Sequence, residues 1–125
     1  MQYMEISNKS VQEVIDSLKE VASKYKYGIQ HIHNVKETLN SKGIDLGNEC
    51  QIVDICNPIV AQKFLSEDMS LSIIMPCKIS VYTQDGDKLI AMNSLVQLVD
   101  DINPDLIELA QEVLELLLEI IDEVK

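Results

Sequence analysis

The segment that most constrains the fold of this chain is its last amphipathic stretch, residues 104–124. Asn103 is a residue type that caps helices, and Pro104 is tolerated in a first helical turn, where its missing N–H would have no partner. The apolar side chains of the stretch cover an arc of about 200°, about twice the stripe that a surface helix needs. They are Leu106, Ile107, Leu109, Ala110, Val113, Leu114, Leu116, Leu117, Leu118, Ile120, Ile121 and Val124.

The width of this arc predicts a homodimer. One half of the arc can lie on a sheet, while the other half needs a further element or a second copy of the chain. Since no other unassigned apolar segment is recognised, we expect two chains to meet through the C-terminal helix. The alternative is a monomer in which the short helices cover the same surface.

Shorter patterns upstream predict a sheet interrupted by helices. Alternation and β-branched residues predict strands at 2–7, 27–33, 50–56 and 88–93, and over 71–83 either one long strand or two short ones joined at Pro76. Capping signals predict helices over 11–26, from 35 to about 42, and over 58–67. The sequence therefore predicts one α+β domain over residues 1–125, a mainly antiparallel sheet with the long C-terminal helix packed on it.

The negative charge of the chain limits the classes of partner that it can bind. The net charge of the chain is −11, and residues 100–125 hold nine acidic residues against Lys125 alone. Nucleic-acid backbones and anionic membrane surfaces would be repelled, so we expect neither as a partner. No apolar run reaches membrane-spanning length, and the first residues show no export signal, so the sequence predicts a cytoplasmic protein with three free cysteines.

The stretch Cys56-Asn57-Pro58 is the strongest candidate for chemistry. Asn57 has the residue type of an N-cap, so the Cys56 sulfur is expected near the positive end of a helix, where a thiolate is favoured. Cys77 follows Pro76, a residue confined to strand edges and bulges. If the two strands are neighbours, the thiols can form a reversible disulfide, bind a soft metal or hold a thiol-reactive ligand. The alternative is that both cysteines are buried packing groups.

Other residues give weaker signals. His31 and His33 share a strand face and could complete a zinc-type set with Cys56 and Cys77, but no metal-ligand spacing supports this, so no metal site is assigned. Cys50 is interpreted as structural. The chain shows no Ser/His/Asp order, phosphate loop or nucleotide fingerprint, which disfavours a conventional hydrolase, kinase or dehydrogenase.

Several short motifs in order resemble the prokaryotic domain-of-unknown-function family 302. The matching residues are Gly28, Val35-Lys36-Glu37-Thr38, Cys56-Asn57-Pro58, Ala61, Pro76-Cys77 and Val81-Tyr82. The resemblance covers residues 1–94 well and the acidic C-terminal helix over 104–124 more loosely. It implies a β-α-β(4)-α arrangement like the TATA-binding-protein fold class, often dimeric, and it implies no activity.

Two hypotheses for function follow. The first is a small-ligand or redox site in which Cys56 is the activated thiol, Asn57 fixes the helix start, and Cys77 is the second thiol. The second is a non-catalytic, homodimeric interaction or scaffolding module. The sequence identifies neither a cofactor nor a substrate.

Overall fold

The computed structural model describes residues 2–125 and contains five strands and five α-helices. In chain order these are β1 (Gln2–Ser7), α1 (Val11–Lys24), β2 (Gly28–Asn34), α2 (Val35–Ser41), β3 (Cys50–Cys56), α3 (Pro58–Glu67), β4 (Cys77–Gln84), β5 (Asp87–Asn93), α4 (Leu95–Ile102) and α5 (Ile107–Val124). Two 3₁₀ segments, Met69–Ile74 and Pro104–Leu106, precede β4 and α5.

The strands form one antiparallel sheet in the order β1-β5-β4-β3-β2. The predicted α+β fold is therefore confirmed, while the likeness to the TATA-binding-protein fold class stays a prediction. A two-residue turn joins β4 to β5, and both of its residues have positive φ, 52° at Asp85 and 86° at Gly86. That geometry suits the right-handed twist of a hairpin, and glycine adopts it without steric cost.

The capping signals at Ser10, Asn34 and Asn57 work as the sequence indicates. Asn103 instead caps the 3₁₀ segment 104–106, so α5 begins at Ile107, without a side-chain cap, and not at Pro104 as predicted. The Ser10 hydroxyl accepts a hydrogen bond from the Glu13 amide, and the Glu13 carboxylate accepts one from the Ser10 amide, so two orphan donors at the start of α1 are satisfied. Helix α1 then packs on β3 and β4 and against α5. The fully buried core is aliphatic apart from Phe64; its largest members include Ile15, Leu18, Ile55, Leu71, Ile79, Ile90, Leu114, Leu117 and Ile120.

Helix α4 is absent from the sequence prediction. It is an additional apolar element that can cover α5, and the homodimer prediction assumes that no such element exists. The Ser94 hydroxyl caps this helix by accepting from the Gln97 amide, and its buried residues Leu95 and Val99 belong to the core. It packs against α5 within the same chain, so the assumption that no further apolar segment remained is wrong. Much of the wide apolar arc of α5 is buried, although Leu116 is 37% exposed. The homodimer itself stays a prediction.

The strand predicted over residues 71–83 is shorter than expected. Residues 69–74 form a 3₁₀ segment, and β4 begins at Cys77, immediately after Pro76. The Asp68 carboxylate caps this segment by accepting from the Ser70 amide at 2.9 Å, which favours a helical turn where the sequence pattern favours a strand. Within residues 2–125, no helix combines the length and the apolar character needed to cross a bilayer.

Candidate functional site

The end of β3 and the start of β4 bring Cys56 and Cys77 together. Ile55 lies directly opposite Cys77 in the β3–β4 ladder, so Cys56 is one residue beyond that pair. In a continuing strand Cys56 would face the other side of the sheet. Cys56 is the last residue of β3 and still pairs with Gly28, yet both cysteines line one small cavity of about 30 Å³ where the chain turns into α3. The structure therefore places the two predicted thiols at one site.

Asn57 fixes the turn from β3 into α3. Its side-chain oxygen accepts hydrogen bonds from the amides of Ile59 at 2.9 Å and Val60 at 3.4 Å, and Pro58 occupies the first helical position. The helix thus begins where the sequence predicts. Since Cys56 immediately precedes this cap, the cap also determines where the Cys56 backbone leaves the sheet.

Tyr27 is a member of the site that the sequence analysis did not identify. Its side chain is 4% exposed and lines the cavity beside the two thiols. Its hydroxyl is buried and has no hydrogen-bond partner among residues 2–125. Burying a phenol without a partner costs free energy, so an unpartnered hydroxyl aimed into a cavity marks a place where an acceptor could bind. The scarcity of aromatic residues in this chain was the available signal.

The remaining wall of the cavity is mostly carbon. It is formed by Ile55, Val60, Ala61, Phe64, Met75, Pro76, Leu95 and Val113, with Asn57 at the turn. Met75 adds a thioether to the two thiols. The Met75–Pro76 peptide bond is cis.

Burial controls the protonation of the site. Desolvation raises the pKa of the Cys56 thiol, and it raises that of Cys77 to about 11, with a further contribution from Cys56. Desolvation likewise raises the pKa of the Tyr27 phenol to about 12. All three groups are therefore protonated at neutral pH. For Cys56 the direction is opposite to that expected from the helix start, so the structure does not favour this residue as an activated thiolate.

A larger cleft adjoins the cavity. Its volume is about 240 Å³, and it shares four wall residues with the cavity: Met75, Pro76, Cys77 and Leu95. Its other wall residues are Ile73, Ile74, Lys78, Met92, Asn93 and Leu98. Cys77 and Met75 thus belong to the walls of both spaces. Cys56 and Cys77 are themselves only partly buried, so both residues are accessible from the surface.

The other sequence candidates lie apart from this cavity. His31 and His33 stack edge to face with ring centroids 4.2 Å apart, and His33 Nε2 lies 3.1 Å from Asp54 Oδ2. Neither histidine lines the cavity, and neither does Cys50, which lies at the far end of β3. In the described part of the chain, no three His, Cys, Asp or Glu side chains form a metal-binding group, so the zinc-type set of His31, His33, Cys56 and Cys77 is not assembled.

Comparison with known proteins agrees with this architecture. No curated protein matches the chain significantly. A crystal structure of an uncharacterized conserved protein DUF302 from Bacillus stearothermophilus is similar over 99% of this chain and 98% of that one, with a TM-score of 0.94 and 29% sequence identity. The sequence pattern of Domain of unknown function DUF302 matches residues 3–124, so the match extends through α5, beyond the region of strongest resemblance. The chain therefore belongs to the family Domain of unknown function DUF302.

Proposed function

We propose that this protein binds a small ligand through the thiols of Cys56 and Cys77, in the cytoplasm. The observation that carries the proposal is the cavity shared by these two thiols and the Tyr27 hydroxyl, which has no hydrogen-bond partner within residues 2–125; the three groups come from separate segments of the chain. Asn57 supports the site by holding the start of α3. A reducing compartment suits free cysteines, and the net charge of −11 disfavours nucleic acids and anionic membranes as partners.

The proposal is tested by residue-resolved alkylation of the folded protein. N-ethylmaleimide is a small neutral thiol reagent, and peptide mass spectrometry reports its reaction at each cysteine separately. Because both cysteines are partly exposed, we expect Cys77 and Cys56 to react in the folded state, at rates proportional to reagent concentration and faster than global unfolding measured by hydrogen exchange. Modification that proceeds only at the unfolding rate would support the interpretation of both cysteines as packing groups.

The same pair could instead serve a redox function. Two thiols lining one cavity are placed to exchange with a disulfide if their sulfur atoms can meet. Incubation with oxidised glutathione would then produce a Cys56–Cys77 disulfide, detected by peptide mapping. The Cys50→Ser variant is the matched control, because Cys50 lies outside the cavity.

An interaction module is the second candidate function. Exposed apolar side chains favour it: Leu116 on α5 is 37% exposed, and Met4 and Ile6 on β1 are 49% and 59% exposed. Sedimentation at micromolar concentration tests it, and a mass near the 14.1 kDa of one chain would exclude the dimer. If a dimer forms, Leu116→Glu should dissociate it when α5 is the interface, whereas Ile6→Glu should do so when β1 is.

A further inference from the structure

Three sulfur-containing residues line the cavity beside Cys77. Cys56 reaches it from the end of β3, while Met75 and Cys77 flank Pro76 at the start of β4. Two thiols and one thioether therefore line a space of about 30 Å³ whose other walls are mostly aliphatic or aromatic. A second thioether, that of Met92, lies along the adjoining cleft.

This donor set selects one class of metal ion. Thiolate and thioether sulfur are soft ligands and favour monovalent copper, whereas Mg²⁺ and Ca²⁺ require oxygen ligands. Among residues 2–125, no carboxylate or imidazole lines the cavity. Zinc sites in proteins use thiolate, imidazole or carboxylate ligands, usually four in structural sites, and no three such side chains group together within residues 2–125.

We propose that the site binds one monovalent copper ion, with Cys56 and Cys77 as thiolate ligands and Met75 as a weaker thioether ligand. This inference rests on the proposed function, because it names the ligand of the same thiol pair. The size of the cavity agrees with it: about 30 Å³ accepts a single ion, whereas sites for drug-sized organic ligands measure roughly 300–1,000 Å³. Cys56 and Cys77 are both partly exposed, which gives the ion access to the thiols.

The proton and charge balance gives Tyr27 a role. Each thiol releases one proton to solvent as its sulfur binds the ion, so one Cu⁺ and two thiolates leave a net charge of −1 in an apolar cavity. The buried Tyr27 hydroxyl has no acceptor among residues 2–125 and lines the same cavity. A thiolate sulfur would supply that acceptor, and the hydroxyl would in turn stabilise the negative charge. Tyr27 is thus a positioning residue for the charge and does not contact the metal.

The experiment is an anaerobic titration of the full chain with Cu⁺ in competition with bicinchoninate. We expect one Cu⁺ per chain and a new thiolate-to-copper absorption band in the ultraviolet. Cys56→Ser and Cys77→Ser each remove a copper ligand, so each should lower the affinity for Cu⁺ by at least about 10–100-fold, the loss typical of removing a residue that only supports a ligand. Met75→Leu and Tyr27→Phe should lower it about 10-fold. Tyr27→Phe should leave the absorption band in place, because it removes no ligand.

Matched controls come from the same chain. Cys50→Ser removes a thiol outside the cavity, and Met69→Leu removes an exposed thioether, so neither should change the affinity. If Cys77→Ser fails to fold, as judged by its thermal transition, Cys77→Ala replaces it with a small apolar side chain. Ag⁺ serves as a redox-inert probe of the same soft-ligand preference.

The outcomes separate this inference from the proposed function. Copper binding that survives both cysteine substitutions, or that Cys50→Ser weakens equally, would place the metal elsewhere and overturn the inference. If N-ethylmaleimide reaches Cys56 and Cys77 in the folded protein but Cu⁺ stays with the competitor, the copper assignment fails while the thiol site stands. If the thiols react only on unfolding and no Cu⁺ binds, both proposals fail.

Discussion

The Lys78 ammonium donates a hydrogen bond to the Asp54 carboxylate at 2.7 Å, directly across the β3–β4 ladder. The next pair in this ladder is Ile55 opposite Cys77, so the ion pair is adjacent in the ladder to the candidate site, although its side chains project from the other face of the sheet. The second Asp54 oxygen lies 3.1 Å from His33 Nε2. A one-residue slip would separate Asp54 from Lys78, which means that the pair helps to specify the register that places Cys77.

We therefore expect Asp54→Asn to lower the free energy of unfolding by about 1–2 kcal/mol at pH 7, because a neutral amide replaces a mostly buried carboxylate and weakens its charge-assisted hydrogen bond from Lys78. Urea denaturation measures the change. Asp87→Asn, at the exposed first residue of β5, is the control and should change stability by less than about 0.5 kcal/mol. Equal effects of the two substitutions would contradict a role for Asp54 in the register.

A second prediction concerns acid stability. Hydrogen bonds from the Ser70 hydroxyl and amide, and from the Asn103 side chain, lower the pKa of Asp68 in the folded protein. A lowered folded-state pKa contributes stability above the unfolded pKa, and this contribution is lost as pH falls through the folded pKa. The wild type should therefore be more stable than Asp68→Asn at pH 7, and the two should converge toward pH of about 2. Urea midpoints at both pH values test this, and a constant difference would disprove it.

The Tyr27 hydroxyl provides a third prediction. Tyr27→Phe removes a buried donor that has no partner within residues 2–125, so we expect the free energy of unfolding to rise by about 1 kcal/mol. Tyr82→Phe, at a partly exposed position on β4, is the control and should change it little. Denaturant midpoints measure both. A loss of stability in Tyr27→Phe would show that the hydroxyl already has an acceptor in solution. Such a substitution, stabilising for the fold and weakening for copper binding, would identify Tyr27 as a functional residue.

Adjacent leucines on α5 give a fourth prediction. Leu117 is fully buried, whereas Leu116 is 37% exposed. Leu117→Ala should lower the free energy of unfolding by about 2–5 kcal/mol, because apolar burial is lost and a cavity is left behind. Leu116→Ala should cost well under 1 kcal/mol if the chain is monomeric, and more if a dimer covers it. Thermal unfolding at two protein concentrations distinguishes these cases, because dimer stability depends on concentration.

The elements with local signals could be predicted from the sequence. Cys50–Cys56 and Pro58–Glu67 have the predicted bounds, because alternation ends where Asn57 and Pro58 cap the next helix. Helix α4 has a local signal too, Ser94 followed by apolar residues at helical spacing, although the sequence prediction contains no helix between β5 and Asn103. The 3₁₀ segment at 69–74 is harder to predict, because its apolar residues are equally compatible with a strand. The Asp68 cap favours the helical turn over the strand.

The candidate site was predicted only in part. Cys56, Asn57 and Cys77 could be named because capping chemistry and a proline mark their positions. Tyr27 could not be placed, since its meeting with the thiols depends on how the end of α1 returns to β2, a tertiary relationship with no local pattern. The direction of the thiol pKa values was also missed, because sequence indicates a helix N-terminus but not the desolvation that opposes it.

The Asp85–Gly86 turn has a practical consequence. It lies at the far end of β4 from Cys77, and the eight residues of β4, counting Cys77 itself, extend over about 25 Å. A Cβ added at Gly86 would meet no atom within 4 Å. A short epitope inserted between these two residues would therefore extend into solvent. Such an insertion would allow the folded protein to be immobilised with its sulfur-lined cavity facing away from the support, so that binding partners can be captured without labelling a cysteine.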